Sequence, residues 1–572
     1  MEFPDGLVPG RTGQSPRRRA MDSETDTDVV VVGSGAAGLS AALVAAAAGA
    51  RVTVLEGSAR WGGATAVSGG QVWAPGNHHM AALGIEDSHQ DALAYLSGHT
   101  RGREPHLAEA FVRAAPGTIR LLEELAPLEF RTIDLPDSFA EAPGGRANGR
   151  NVEVAPVELA GLGSPEELYW PPPFFRPVLT NEEIGRLRLL TGGTPPAELI
   201  AERTAAGLVA LGQGLVTGLL RGCLAAGVTL LRDHRVTGLL QDGGSVPGDG
   251  PGGPAGPGGP AGGDGRVTGV RAGGHTFSAR RGVVLACGGF EHDPALRARL
   301  LGGPEAHPVT PPVARGDALR LAGAAGAALA HPAESWSWPV LQHPGAAWAD
   351  GTPRAELVLS ERMLPHVIWV NSAGRRFVDE SSHNAALAFA ETDPTTGRLR
   401  NVPAWAIADA QHRARYPFAG ARPGEELPPH AVAADTQAEL AERLGIDPGG
   451  LAGTIQRFNA YAERGTDPDF QRGSSLYDRC SGDPRAPHPN LGTVAEPPFA
   501  AVPVLPGLVG TKGGPRTDDH ARVLRWTGEP VPGLFAAGNA TGAVIGPPIV
   551  SPGATIGSAL VWGRLAGENS AG

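Results

Sequence analysis

Gly33, Gly35 and Gly38 form the pattern G-x-G-x-x-G between a run of valines, Val29–Val32, and an alanine-rich stretch. Glycine at the first position permits a tight turn, at the second it lets backbone approach a pyrophosphate, and at the third it allows a helix to pack closely on a strand. Glu56 lies 18 residues after Gly38 and ends a second apolar run, Arg51–Leu55. A carboxylate there can accept hydrogen bonds from both hydroxyls of a ribose. Glycines, uncharged helix start and terminal acid together point to dinucleotide binding. Elsewhere, His383 is a natural general base, since an imidazole titrates at about 6.5. The run Gly546–Ala559, "GPPIVSPGATIGSA", has three prolines and no titratable side chain, and offers only backbone donors such as the Gly553 N–H.

These residues require a βαβ unit. Val29–Val32 reads as a buried parallel strand. A helix then runs to about Ala48 and is stopped by Gly49, and Arg51–Leu55 supplies the next strand. Two more strand-like segments, Arg235–Leu240 and Arg266–Ala272, flank a Gly/Pro insert at 241–265 that cannot bury apolar surface and reads as a flexible hairpin tip. "RRGVVLACGG" (Arg280–Gly289) adds another buried strand. Residues 295–490 differ in character, holding five of the ten tryptophans and mixed helix and loop signals. They read as an inserted α+β substrate domain, leaving a discontinuous dinucleotide domain of 27–294 plus 491–572. Residues 1–26, with the cluster Arg17–Arg19 and a second possible start at Met21, read as a disordered tail.

Composition narrows the class. A hydrophobic share of 41% against 19% charged residues fits a globular enzyme. A net charge of −11 argues against nucleic acid as a partner. Cys223, Cys287 and Cys480 are too few and too far apart for a disulfide framework or a metal site. No metal is expected, and reduced thiols suggest the cytoplasm. No run reaches the roughly 18 apolar residues a transmembrane helix needs.

"ARWGGATAVSGGQVW" (Ala59–Trp73), "VVLACGGFE" (Val283–Glu291) and "GLFAAGNATG" (Gly533–Gly542) resemble the further signatures of the glutathione-reductase-type FAD fold. With "EAPGGRANGR" (Glu141–Arg150), "SERMLPHVIWVNSAGRRFVDE" (Ser360–Glu380), "FNAYAERGTDPDFQRGSSLYDR" (Phe458–Arg479) and "GTKGGPRTDDHARVL" (Gly510–Leu524), the chain is similar to the fumarate reductase/succinate dehydrogenase flavoproteins, and within them to the 3-ketosteroid Δ1-dehydrogenases. The resemblance spans about 27–570. It implies an α/β fold and FAD held by Gly33, Ser34, Gly35, Ala36, Ala37, Gly38, Glu56, Gly57, Gly62, Gly63, Ala64, Thr65, Ser68, Gly69, Gly70, Val236, Ala286, Cys287, Gly288, Gly538, Asn539, Ala554, Thr555 and Ile556. Attachment is expected to be non-covalent, because Gly63 stands where membrane-bound relatives carry a histidine.

In that family a hydride leaves a ring carbon for flavin N5 while a base takes the proton alpha to a ketone; a tyrosine hydroxyl and a backbone N–H hold the enolate oxygen. This chain departs at all three tyrosines. Ile549 replaces the carbonyl-binding one, Asn384 the base, and Ser138 (Phe139 if the alignment slips) the third. The five tyrosines present, Tyr95, Tyr169, Tyr416, Tyr461 and Tyr477, lie outside those motifs. Nor is there an arginine in 546–559, or a histidine at Gly510, as a fumarate reductase requires. Candidate substitutes are His383 and the pair His78 and His79. Asn384 could hold a carbonyl, and Trp73, Trp336 and Trp338 could line an apolar pocket. Asp379 and Glu380 read as turn formers, Arg375 and Arg376 as structural ion pairs. The expectation is an FAD-dependent dehydrogenase acting next to the ketone of an apolar, polycyclic substrate other than an ordinary 3-ketosteroid. The alternatives are an enone reductase and an FAD-binding protein without turnover. Substrate, electron acceptor and oligomeric state stay open.

Overall fold

Four valines in succession, Val29–Val32, cannot face water on either side, and they lie buried in the strand Thr25–Val32, inside a nine-stranded sheet. We describe a computed structural model covering residues 25–100, 103–172, 177–242, 244–247, 265–359 and 361–572. The central strand pairs in parallel with Val52–Leu55 on one side and His275–Leu285 on the other. Thr229–Leu231 extends the first side, and Pro530–Ala536 runs parallel to His275–Leu285. The carboxyl ends of these strands therefore open at one edge, where an open α/β sheet binds its ligand.

The helix Ala36–Ala47 carries almost no polar side chain because it is covered on both flanks. The C-terminal helix Ala554–Ala571 lies against it through glycines. A Cβ at Gly563 would come within 2.4 Å of Ala37 O, and one at Gly567 within 2.5 Å of Ala41 O. Small residues let the two backbones approach, and that contact fixes where the C-terminal helix begins.

The second sheet has seven strands. Its spine is Phe499–Thr511, paired antiparallel with Ser335–Leu341 on one side and Ala404–Ala408 on the other, with Val367–Asn371 beyond. Phe499–Thr511 falls inside the C-terminal segment that composition assigns to the dinucleotide domain. We therefore propose placing the return crossing after Thr511 rather than at 491; strand pairing, which composition does not report, decides it.

Two boundaries differ from expectation. The first strand begins at Thr25, inside the stretch read as a tail, because Thr25 to Thr27 pair with Phe277 to Ala279; residues 1–24 lie outside the described residues. In the Gly/Pro insert, Gly244–Pro247 is a strand that folds back on Val236–Gln241. Its backbone is paired despite a composition with little to bury. Residues 243 and 248–264 lie outside the described residues. No helix among the described residues is long and apolar enough to cross a membrane.

Candidate active site

A cavity of about 1180 Å³ runs from the carboxyl edge of the first sheet into the space beneath the second. Its first half is built of backbone. Gly33 has φ +105°, and a Cβ there would lie 2.5 Å from Ala286 O; a Cβ on Gly38 would lie 2.0 Å from Gly33 O. Two helices begin at this cavity, after Gly35 and after Gly553, and neither has a side-chain cap or an acidic residue in its first turn. Ala36 N–H donates to Thr65 Oγ1 (3.1 Å) and Ala554 N–H to Ser551 O (3.3 Å); the positive dipole ends of both helices still favour a negatively charged ligand. Glu56 is buried beside them. Its Oε2 accepts from Ser34 N (3.1 Å) and Ser34 Oγ (2.6 Å), its Oε1 from Ser58 N (2.9 Å), and burial pushes its carboxyl above the usual range. This chemistry fits FAD: anion-seeking amides for the pyrophosphate, an acid for the ribose, and a cradle that side chains would fill.

The expected cofactor residues line this cavity with two exceptions, Gly38 and Gly62. Gly38 packs helix on strand. Gly62, at φ +87°, donates its N–H to Ser34 Oγ (3.0 Å) and so stands behind the residue that grips Glu56.

The second half of the cavity holds titratable groups. His383 lines it, is buried, and its Nδ1 lies 2.5 Å from Ser138 Oγ. Its Nε2 makes no hydrogen bond to the described residues. Burial, with the charges of Arg362 and Lys512, holds the imidazole well below its usual pKa and favours its neutral form. Ile549 lines the wall, as expected of an apolar replacement. Gly553 also lines the cavity, and its N–H has no hydrogen-bond partner among the described residues. A Cβ at Gly553 (φ +75°) would meet Val72 N at 2.7 Å, so this position needs glycine.

Asn384 does not reach the cavity. Its Oδ1 accepts from Ile549 N (2.7 Å) and its Nδ2 donates to Ile549 O (3.0 Å), so it clamps the wall instead of meeting a carbonyl. Ser138 is likewise behind the cavity surface, tied to Val550 O through its N–H (2.9 Å), and acts on the site through His383.

Other candidates are placed elsewhere. His78 and His79 both bond Glu123 at 3.0 Å, away from the cavity. Trp73 is core, stacked on Phe111 and donating to Asp137 Oδ1 (2.9 Å). Trp336 donates to Asn539 Oδ1 (3.1 Å) and lies under the Lys512 ammonium; of the three tryptophans only Trp338 lines the cavity. Arg376 is buried in an ion-pair network with Glu380 (2.7 Å) and Asp467 (2.8 Å), and Asp379 accepts from Ser381 N, so both read as architecture.

Three further groups at or beside the cavity were given no role by the sequence reading. Lys512 is buried and donates to Gly546 O (2.6 Å), Pro547 O (2.9 Å) and Pro548 O (3.4 Å), holding the loop that leads to Ile549. Burial lowers its pKa to about 7. Arg362 and Tyr477 both line the cavity next to His383. The one available signal for them was an arginine inside the apolar run "SERMLPHVIWV" and a tyrosine inside "SSLYDR"; neither spacing indicates that they meet.

The family model described as FAD binding domain matches residues 28–554. The chain is 36% identical over 568 residues to the 3-oxosteroid 1-dehydrogenase of Mycobacterium tuberculosis, covering 94% of this chain and 97% of that protein. It is 36% identical over 553 residues to the 4-oxocyclohexanecarboxylate 2-dehydrogenase of Sinomonas cyclohexanicum, covering 95% and 93%. The solved 3-ketosteroid Δ1-dehydrogenase from Sterolibacterium denitrificans, in complex with 1,4-androstadiene-3,17-dione, superposes with a TM-score of 0.84 at 30% identity, covering 96% of this chain and 100% of that one.

Proposed function

The chain belongs to the FAD-dependent dehydrogenases of the 3-oxosteroid 1-dehydrogenase type, and from this premise we propose that it removes two hydrogens across the C–C bond next to the carbonyl of a ring ketone. Bound FAD supplies the hydride acceptor. The chain supplies the rest. Gly553, which lines the cavity and whose N–H has no partner among the described residues, donates that N–H to the carbonyl oxygen and stabilises it as charge gathers there. His383 Nε2 takes the α-proton. For that the imidazole adopts the tautomer whose Nδ1–H donates to Ser138 Oγ, so Ser138 sets the ring's orientation and leaves the Nε2 lone pair towards substrate. Ile549 and Trp338 supply apolar walls, and Gly63 leaves the flavin without a covalent tether.

The observation that carries this reading is His383: its imidazole shares one cavity with a dinucleotide cradle and the Gly553 backbone. A base held this low in pKa is weak. It suits a ketone whose α-proton is more acidic than that of an ordinary 3-oxosteroid. The named relatives act on a steroid ketone and on an oxocyclohexane acid, which share a six-membered ring ketone.

The test is anaerobic mixing of the oxidised holoenzyme with 3-oxosteroids, 4-oxocyclohexanecarboxylate and cyclohexanones bearing an acidifying group beside the carbonyl. Flavin absorbance is expected to bleach with a ring ketone, fastest for the acidified ones. No bleaching by any of them overturns the reading. Reoxidation of reduced enzyme by enones alone assigns the reductive direction instead.

A further inference from the structure

Tyr477 brings a phenol into the cavity from the segment Phe458–Arg479, to which the sequence reading assigned no role at the site. It stands on the short helix Leu476–Cys480, is buried, and lines the cavity. Its ring lies parallel to the His383 imidazole, at 4.6 Å between centroids and 6° between planes. Its hydroxyl faces the Arg362 guanidinium, whose charge and hydrogen bonding oppose the upward push of burial on the phenol's pKa.

Arg362 is held from behind. Its Nε donates to Val358 O (3.3 Å) and its Nη1 to Glu380 O and Ser382 O (2.8 Å to the latter). The guanidinium lies 5.2 Å from the Trp338 ring centroid. Its Nη2 is buried without a hydrogen-bond partner, and no carboxylate among the described residues pairs with it in a salt bridge. Other buried arginines of the chain are compensated by carboxylates: Arg150 by Asp87 and Asp137, Arg376 by Glu380 and Asp467, Arg472 by Glu380. A buried charge without a counter-ion is costly. It is useful where negative charge develops during a reaction.

We propose that the Tyr477 hydroxyl donates to the substrate's carbonyl oxygen, the role left vacant at Ile549, and that Arg362 is a positioning residue that steadies this phenol as the enolate forms. The proposal rests on the ring-ketone reading above. The step balances between the substrate, His383 and the flavin, which would accept the hydride. The α C–H pair becomes the enolate double bond as the proton moves to His383, and negative charge gathers on the oxygen. It returns as hydride leaves the β-carbon. Tyr477 keeps its proton throughout, which accords with burial pushing the phenol's pKa upward against the pull of Arg362. Stacking against His383 places acid and base side by side, as a carbonyl and its α-carbon require.

Tyr477→Phe keeps the ring and its stacking, so the variant tests the hydroxyl alone. In flavin-loaded protein, the rate of flavin reduction by a ring ketone is expected to fall about 100-fold, within the range for losing one oxyanion donor. A second readout is the carbonyl stretch of a bound α,β-unsaturated ketone product, labelled at the carbonyl carbon. Its band should shift to lower frequency in wild type, lose most of that shift in Tyr477→Phe and lose part of it in Arg362→Lys. A purely structural tyrosine would leave the band in place. Reduction of Tyr477→Phe within about 3-fold of wild type, or a band the phenol does not move, overturns the proposal. A wild-type flavin that no ring ketone reduces overturns the parent reading, and this one with it.

Discussion

His383 is buried near Arg362 and Lys512, and this fixes how the site responds to acid. Its folded pKa is held well below that of an unfolded histidine, about 6.5. The unfolded chain therefore binds a proton that the folded chain refuses, and stability rises with pH across that window. The contribution is fully present above about pH 6.5 and is lost as pH falls towards the folded value. We expect thermal melts to show a falling midpoint below pH 6.5, with part of that slope absent in His383→Gln. In the same variant the rate of flavin reduction should drop about 100-fold, the lower range for losing a general base. A variant that keeps the wild-type rate would remove His383 from the chemistry. Asn384 shows the opposite case at this scale: its side chain is spent on both backbone groups of Ile549, so Asn384→Ala should loosen the wall without removing a proton acceptor.

At the scale of elements, the site depends on two backbone contacts and one lysine. The turn at Gly33 and the helix at Gly38 touch so closely that an added methyl would lie 2.0 Å from a carbonyl oxygen. Gly38→Ala is expected to yield protein that has lost most of its flavin, measured by absorbance after gel filtration. The C-terminal helix is pinned likewise, since a Cβ on Gly557 would lie 2.1 Å from Trp73 O. Between these helices the loop 546–548 has no regular structure of its own, and three successive carbonyls converge on Lys512. Lys512→Met would leave them unpaired in a buried setting, at a cost of about 3 kcal/mol. Denaturant melts should show that loss, and turnover should fall further than flavin content because the loop carries Ile549 towards Gly553.

The whole molecule joins a mixed sheet, whose parallel strands present glycine turns to a cofactor, to a mainly antiparallel sheet whose surroundings bring in Arg362, His383 and Tyr477. With Gly63 offering no attachment point, acid precipitation of the holoenzyme is expected to release all flavin into the supernatant; colour retained in the pellet would contradict that. Replacing residues 248–264 by a short turn should leave flavin content and turnover unchanged, because Val236–Gln241 and Val267–Ala272 pair directly without them. The dinucleotide cradle was legible in the sequence because its determinants are local: glycines within six positions, an apolar run on either side, and an acid at the end of the next strand. Those features follow from backbone sterics and helix termini, which depend on near neighbours. The second half of the cavity was not legible. His383 and Ser138 lie 245 residues apart, and Tyr477 reaches His383 from a third segment. None of the five tyrosines stands at a position of the three lost phenols, yet packing brings Tyr477 to the cavity. By itself, then, the sequence determined the cofactor fold and the loss of three phenols from their expected positions. Only the tertiary structure decided which imidazole, phenol and guanidinium share the cavity, because meetings between distant segments are settled by how two sheets and their loops bury their faces together.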